Sequence, residues 1–119
     1  MPNRKIILVV EDDHDILELV VAALTSKGCS AFGVTSRDEA LAWMQVNGLP
    51  ETIILDWHMP GMDVPDFMRE LLKLGPPPRV VLTTASAYAD EKAREVGIPE
   101  VLRKPFNPED LLSQVDHCR

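Results

Sequence analysis

A chain of 119 residues is one domain's worth, and at that size folding buries roughly two-thirds of the unfolded surface without disulfide staples. Nineteen acidic against twelve basic side chains give a formal charge of −7, which argues against direct binding to nucleic acid or anionic membrane and favours a site that welcomes a cation. Met1-Pro2-Asn3-Arg4-Lys5 leads into only five apolar residues before Glu11, too few for a signal peptide or a span, and Cys29 and Cys118 follow no metal or redox spacing. The expectation is a soluble cytoplasmic protein with reduced thiols, buried or idle.

Ile6 to Val10 is an uninterrupted apolar run, the pattern of a parallel strand buried on both faces, and it stops on Glu11-Asp12-Asp13. Asp13 or Asp15 can cap the next helix, where Ile16, Leu17, Val20, Val21 and Leu24 share one face and Gly28 supplies the stop. Ser30 to Thr35 is short and mixed, as an edge strand is. Ser36-Arg37-Asp38-Glu39 reads as a capping box opening a helix through about Val46, with Ala40, Leu41 and Met44 on its apolar side.

Ile53-Ile54-Leu55 is a further buried-type strand. It ends on one carboxylate, Asp56, before the turn Trp57-His58-Met59-Pro60-Gly61. Asp63 and Pro65 mark a helix start, and Phe67, Met68, Leu71 and Leu72 bury one side. Arg79 to Thr84 is a strand that ends on hydroxyls. An Ala-rich helix spans about Tyr88 to Val96, Glu100 to Arg103 forms a short fifth strand before Lys104-Pro105, and Asn107-Pro108-Glu109-Asp110 opens the last helix, with Leu111, Leu112 and Val115 facing the core.

Strands alternating with helices imply a parallel sheet with right-handed crossovers and helices on both faces. The carboxyl ends of such strands meet along one edge, where ligands bind, and here they bear Glu11, Asp12 and Asp13, then Asp56, Thr84 and Lys104. Each has a bland reading: Asp56 as a turn cap, Glu11 and Asp12 as helix-terminal charge, Thr84 or its neighbour Thr83 as a strand-end hydroxyl, Lys104 as a solvated cation. Together they have a sharper one. Clustered carboxylates repel unless a cation neutralises them, and hard oxygen ligands suit Mg²⁺. A lysine and a hydroxyl facing the same point would bind an incoming phosphoryl group, and a carboxylate nucleophile would complete an acyl phosphate. His58 has no second histidine at ligand spacing; His14 and His117 read as surface residues, and Trp43, Trp57 and Phe106 as packing.

In Val9-Val10-Glu11-Asp12-Asp13, Leu55-Asp56-Trp57-His58-Met59-Pro60-Gly61-Met62-Asp63, Leu82-Thr83-Thr84-Ala85 and Lys104-Pro105-Phe106 the chain resembles the receiver domain of two-component response regulators, from Lys5 to about Val115. The resemblance implies an α/β, flavodoxin-like three-layer sandwich: a five-stranded parallel sheet in order 2-1-3-4-5 with five helices. It implies that Asp56 is the phosphoacceptor, taking a phosphoryl group from a sensor histidine kinase or histidine phosphotransfer protein. Asp12, Asp56 and the His58 backbone carbonyl would ligate Mg²⁺ directly, with Glu11 acting through water; the His58 side chain would shape access of hydrolytic water. Thr84 and Lys104 would bind phosphoryl oxygens, and Lys104-Pro105 would be joined by a cis bond. The sequence reads as one receiver with no effector domain, either a single-domain regulator or a receiver cut from a longer protein, with an unidentified downstream protein partner and room for a homodimer. It would be a switch with slow self-dephosphorylation and not a metabolic enzyme.

Three features depart from the family. Val101 stands at the position of the usual aromatic switch, the segment from Thr84 to Lys104 is short, and Val64 replaces a common glycine, so that either the turn is strained or Pro65 resets the helix start. Val101 and the short segment leave room for a phosphorylation-independent binding module on a retained receiver fold. An aspartyl-phosphate hydrolase would need its nucleophile in an Asp-x-Asp arrangement at the first strand and usually a cap domain; the one Asp-x-Asp here, Asp13-His14-Asp15, falls on the residues read as capping the next helix.

Overall fold

The computed structural model describes residues 6–115. Five strands, β1 (Ile6–Val10), β2 (Ser30–Val34), β3 (Thr52–Asp56), β4 (Arg79–Thr84) and β5 (Glu100–Arg103), alternate with α1 (His14–Ser26), α2 (Arg37–Asn47), α3 (Val64–Leu74), α4 (Ala89–Glu95) and α5 (Pro108–Gln114). All strand pairs are parallel, in the order β2-β1-β3-β4-β5. This is the expected doubly wound, flavodoxin-like order.

Strand periodicity builds the three layers. Along β1, Leu8 and Val10 point to one face and Ile7 and Val9 to the other. The first face joins Ile53, Leu55, Val80 and Leu82 with Met44 of α2, Phe67 and Leu71 of α3 and Ala93 of α4. The second joins Ile54, Val81 and Leu102 with Val20 and Leu24 of α1 and Leu111 of α5. The sheet's central strands are therefore apolar on both sides.

Helix starts follow from side-chain chemistry. Asp13, Ser36, Asp63 and Asn107 each accept a backbone N–H in the first turn of α1, α2, α3 and α5. Val64 is the first residue of α3 and is buried, so its β-branched side chain sits on helical backbone that needs no positive φ. The α4 helix has only seven residues and no side-chain cap. Asn107 and Asp110 bond reciprocally at the start of α5. Asn107→Ala should therefore cost about 1 kcal/mol of stability, read as a lower urea midpoint at unchanged slope.

Cys29 is buried in the α1/α5-side core, within the expectation of a buried or idle thiol, but it takes part in a disulfide, which corrects the reading of a reduced thiol; the spacing of two cysteines alone does not signal a pairing. Met1 to Lys5, His117 and Cys118 lie outside the described residues. Among the described residues no helix is long and apolar enough to cross a membrane.

Candidate functional site

The β1–α1 turn carries the first two acids. Asp13 caps α1 by accepting the N–H groups of Asp15 and Ile16, which leaves Glu11 and Asp12 free of that duty. Glu11 is anchored by its own N–H to the Val34 carbonyl (3.1 Å), and its Oε2 accepts the Asp13 N–H (3.2 Å). Asp12 is exposed, whereas Glu11 and Asp56 are buried. Ligand oxygens of Glu11, Asp12 and Asp56 all lie within 4.8 Å of one another.

Lys104 reaches this cluster from the end of β5. Its N–H donates to the Thr84 carbonyl (2.8 Å), which carries the end of β5 against β4, and the Lys104–Pro105 peptide is cis. The ammonium donates to Glu11 Oε1 at 2.8 Å and stands 3.3 Å from Asp56 Oδ1. Burial would lower the affinity of Lys104 for its proton, but the hydrogen bond to Glu11 and the charges of Asp56 and Glu11 outweigh it and hold the ammonium above its ordinary range. Glu11 moves up as well. Desolvation raises it, Lys104 opposes, and the charge of Asp56 adds to the rise. Lys104 and the Arg37 guanidinium, whose charge Asp56 and Asp12 favour, are two cations against the three carboxylates.

Thr84, fully buried, shares its hydroxyl between the Ser86 N–H (3.1 Å) and the ring Nε2 of His58 (3.1 Å). The His58 N–H in turn points at Asp56 Oδ1 (3.3 Å). The His58 ring thus contacts Thr84, a link across 26 residues that sequence reading missed because no local pattern encodes it. Thr83, the competing hydroxyl, instead uses its carbonyl to accept the Trp57 N–H (2.9 Å). Trp57 is half-buried with the Lys92 ammonium 4.9 Å from its ring, and Val101 is half-buried against the α2/α3-side core.

Sequence reading also missed Arg37. Its guanidinium is 2 % exposed and donates to the carbonyls of Asp56 (2.8 Å), Trp57 (2.7 Å), Met62 (2.5 Å) and Met59 (3.4 Å). A signal was present: a cation in the first turn of a helix opposes the macrodipole, so local helix chemistry gives no reason for it.

The family model of the response regulator receiver domain matches residues 7–116. The chain belongs to that family. It is 30% identical over 115 residues to the phosphate regulon transcriptional regulatory protein PhoB of Pseudomonas aeruginosa, covering 93% of this chain and 50% of that protein. It is also 30% identical over 111 residues to the transcriptional regulatory protein CutR of Streptomyces coelicolor, covering 92% and 51%. This receiver domain spans about half the length of the curated relatives it matches. Among solved structures, a response regulator receiver protein of Burkholderia phymatum superposes with a TM-score of 0.82 at 32% identity, covering 93% of this chain and 91% of that one. Chemotaxis response regulator CheY4 of Vibrio cholerae gives 0.81 at 29%, covering 95% and 97%. The receiver domain is a module of two-component signalling, a switch and not a metabolic enzyme.

Proposed function

We propose that this receiver takes a phosphoryl group onto Asp56 from a phosphohistidine of a sensor kinase or histidine phosphotransfer protein. The observation that supports this best is the Lys104 ammonium, 3.3 Å from Asp56 Oδ1 and 2.8 Å from Glu11 Oε1 at the strand-end edge. An oxygen of Asp56 attacks phosphorus as the phosphorus–nitrogen bond of the donor breaks, and the imidazole leaves as its electron pair returns to nitrogen. Lys104 stabilises charge on the phosphoryl oxygens, and the buried Thr84 hydroxyl supplies a further donor once it leaves His58. The His58 ring therefore competes with the phosphoryl group for Thr84.

Three hard oxygen donors around an excess of negative charge fit a divalent cation. Asp12, Asp56 and the His58 carbonyl would hold Mg²⁺, with Glu11 acting through water, and the ion would neutralise charge that develops on the phosphoryl oxygens. The acyl phosphate hydrolyses slowly and acts as a timer. Val101 offers no aromatic ring to swing between buried and exposed positions, so the state of Thr84 reaches a downstream protein partner by another route.

Incubation with acetyl phosphate and Mg²⁺ tests the reading. Intact mass should rise by one phosphoryl group, the gain should vanish with EDTA, and hydroxylamine should release it as it does an acyl phosphate. No gain, or a label that resists hydroxylamine, overturns the assignment.

A further inference from the structure

We propose that Arg37 is a positioning residue for the phosphoacceptor loop, a role that rests on the reading of Asp56 given above. Both Nη atoms are used twice. One donates to the Asp56 and Trp57 carbonyls at 2.8 and 2.7 Å, the other to Met62 and Met59 at 2.5 and 3.4 Å. Four carbonyls of the chain from β3 into α3 are thereby tied to one rigid, planar group anchored at the first residue of α2.

Of the carbonyls in this span that Arg37 does not hold, those of His58, Pro60 and Gly61, the first is informative. That of His58 lies in sequence between two held on each side, and it is the one assigned to the cation. With the carbonyls of Trp57 and Met59 on either side committed to Arg37, the backbone that carries the His58 carbonyl is held in a fixed direction. Precise placement of the groups around a metal ligand is the task of such outer partners. Lysine cannot substitute, because its three donors radiate from a single point and do not span four acceptors.

Helix formation does not account for Arg37. It sits where a cation opposes the α2 dipole, and its Nε–H is buried with no hydrogen-bond partner among the described residues. Burial also works against its charge, while Asp56, Asp63 and Asp12 favour that charge. A group kept under these penalties has its return in the loop it holds and in the acidic site beside it.

Arg37→Lys isolates geometry from charge, since it keeps the cation and removes the fork. Mg²⁺ titrated calorimetrically into folded variant, without phosphodonor and at a temperature where circular dichroism matches wild type, should bind about 10-fold more weakly. Labelling by acetyl phosphate at fixed subsaturating Mg²⁺ should slow in proportion. A merely structural role would lower the melting temperature and leave the Mg²⁺ affinity of the folded protein unchanged; that result overturns the proposal. If the variant does not fold, the wild-type protein decides by nitrogen–proton NMR: distinct, slowly averaging Arg37 Nη–H signals that shift on saturation with Mg²⁺ support the role. Signals that average freely or ignore Mg²⁺ overturn it. Failure of the phosphoacceptor reading itself would be seen elsewhere, as wild-type protein that takes no label while its Mg²⁺ affinity still depends on Arg37.

Discussion

Asp56→Asn should lose acetyl phosphate labelling altogether and yet be more stable than wild type at pH 7. The amide has no charge with which to attack phosphorus, so mass spectrometry should find no Mg²⁺-dependent gain. The fold has little reason to fail. Asparagine Oδ1 can still accept the His58 N–H, and the backbone carbonyl of residue 56 keeps its bond to Arg37 at 2.8 Å. Lys104 loses the contact at 3.3 Å and retains the hydrogen bond to Glu11 at 2.8 Å.

The stability gain comes from Glu11. Its folded-state affinity for a proton lies above the ordinary value of 4.5, through desolvation first and in part through the charge of Asp56. A carboxyl raised in this way destabilises the fold progressively as pH climbs from 4.5 through its raised value, and not below. Removing Asp56 shrinks that loss, by on the order of 1 kcal/mol for one like-charge contact. It also relieves the desolvation of a carboxylate that is 2% exposed, and together these outweigh the support that Asp56 gives the charges of Lys104 and Arg37. Urea unfolding should therefore favour the variant at pH 7 and leave the two proteins closer at pH 4. Persistent labelling would remove Asp56 from its role. A variant less stable than wild type at pH 7 would refute the account of charge repulsion.

The fold was legible in the sequence wherever one residue's chemistry acts on near neighbours. The alternation of Ile7, Leu8, Val9 and Val10 between the two faces follows from pleating alone, and the caps Asp13, Asp63 and Asn107 satisfy N–H groups two or three residues away. Strand order is not local, and it came from the resemblance. Even a local motif can mislead in detail: Ser36 accepts the Glu39 N–H as a capping box requires, but the Glu39 carboxylate turns to the Thr35 N–H at 2.6 Å. Long-range partners leave weaker traces. Arg37 finds its carbonyls 19 to 25 residues on, and only its position against the helix dipole hinted that something outside α2 held it.

Lys104→Met should slow labelling by about 10²- to 10³-fold, the loss expected when one preorganised donor to developing charge is removed. Methionine keeps most of the stem's volume and removes the ammonium, so the effect reports on charge more than on packing. The same change leaves Glu11, with its side chain 5% exposed, facing Asp56 without the cation 2.8 Å away. Breaking a buried pair costs about 3–5 kcal/mol when the remaining charge stays ionised. Glu11 has a way out, because it can take up a proton, and desolvation and Asp56 already push it in that direction. The deficit should therefore be largest at pH 8 and fall as pH drops through the further raised Glu11 value, the sign required of a carboxyl whose folded state binds its proton more tightly. Added Mg²⁺ should restore part of the stability at pH 8, since it neutralises the same carboxylates, but should not restore the labelling rate, since the phosphoryl group still lacks its ammonium. Urea midpoints at pH 5 and pH 8, with and without Mg²⁺, check the first half, and the rate of mass gain checks the second. Labelling within a few-fold of wild type would leave Lys104 as a counter-ion to Glu11 and would remove it from phosphoryl binding.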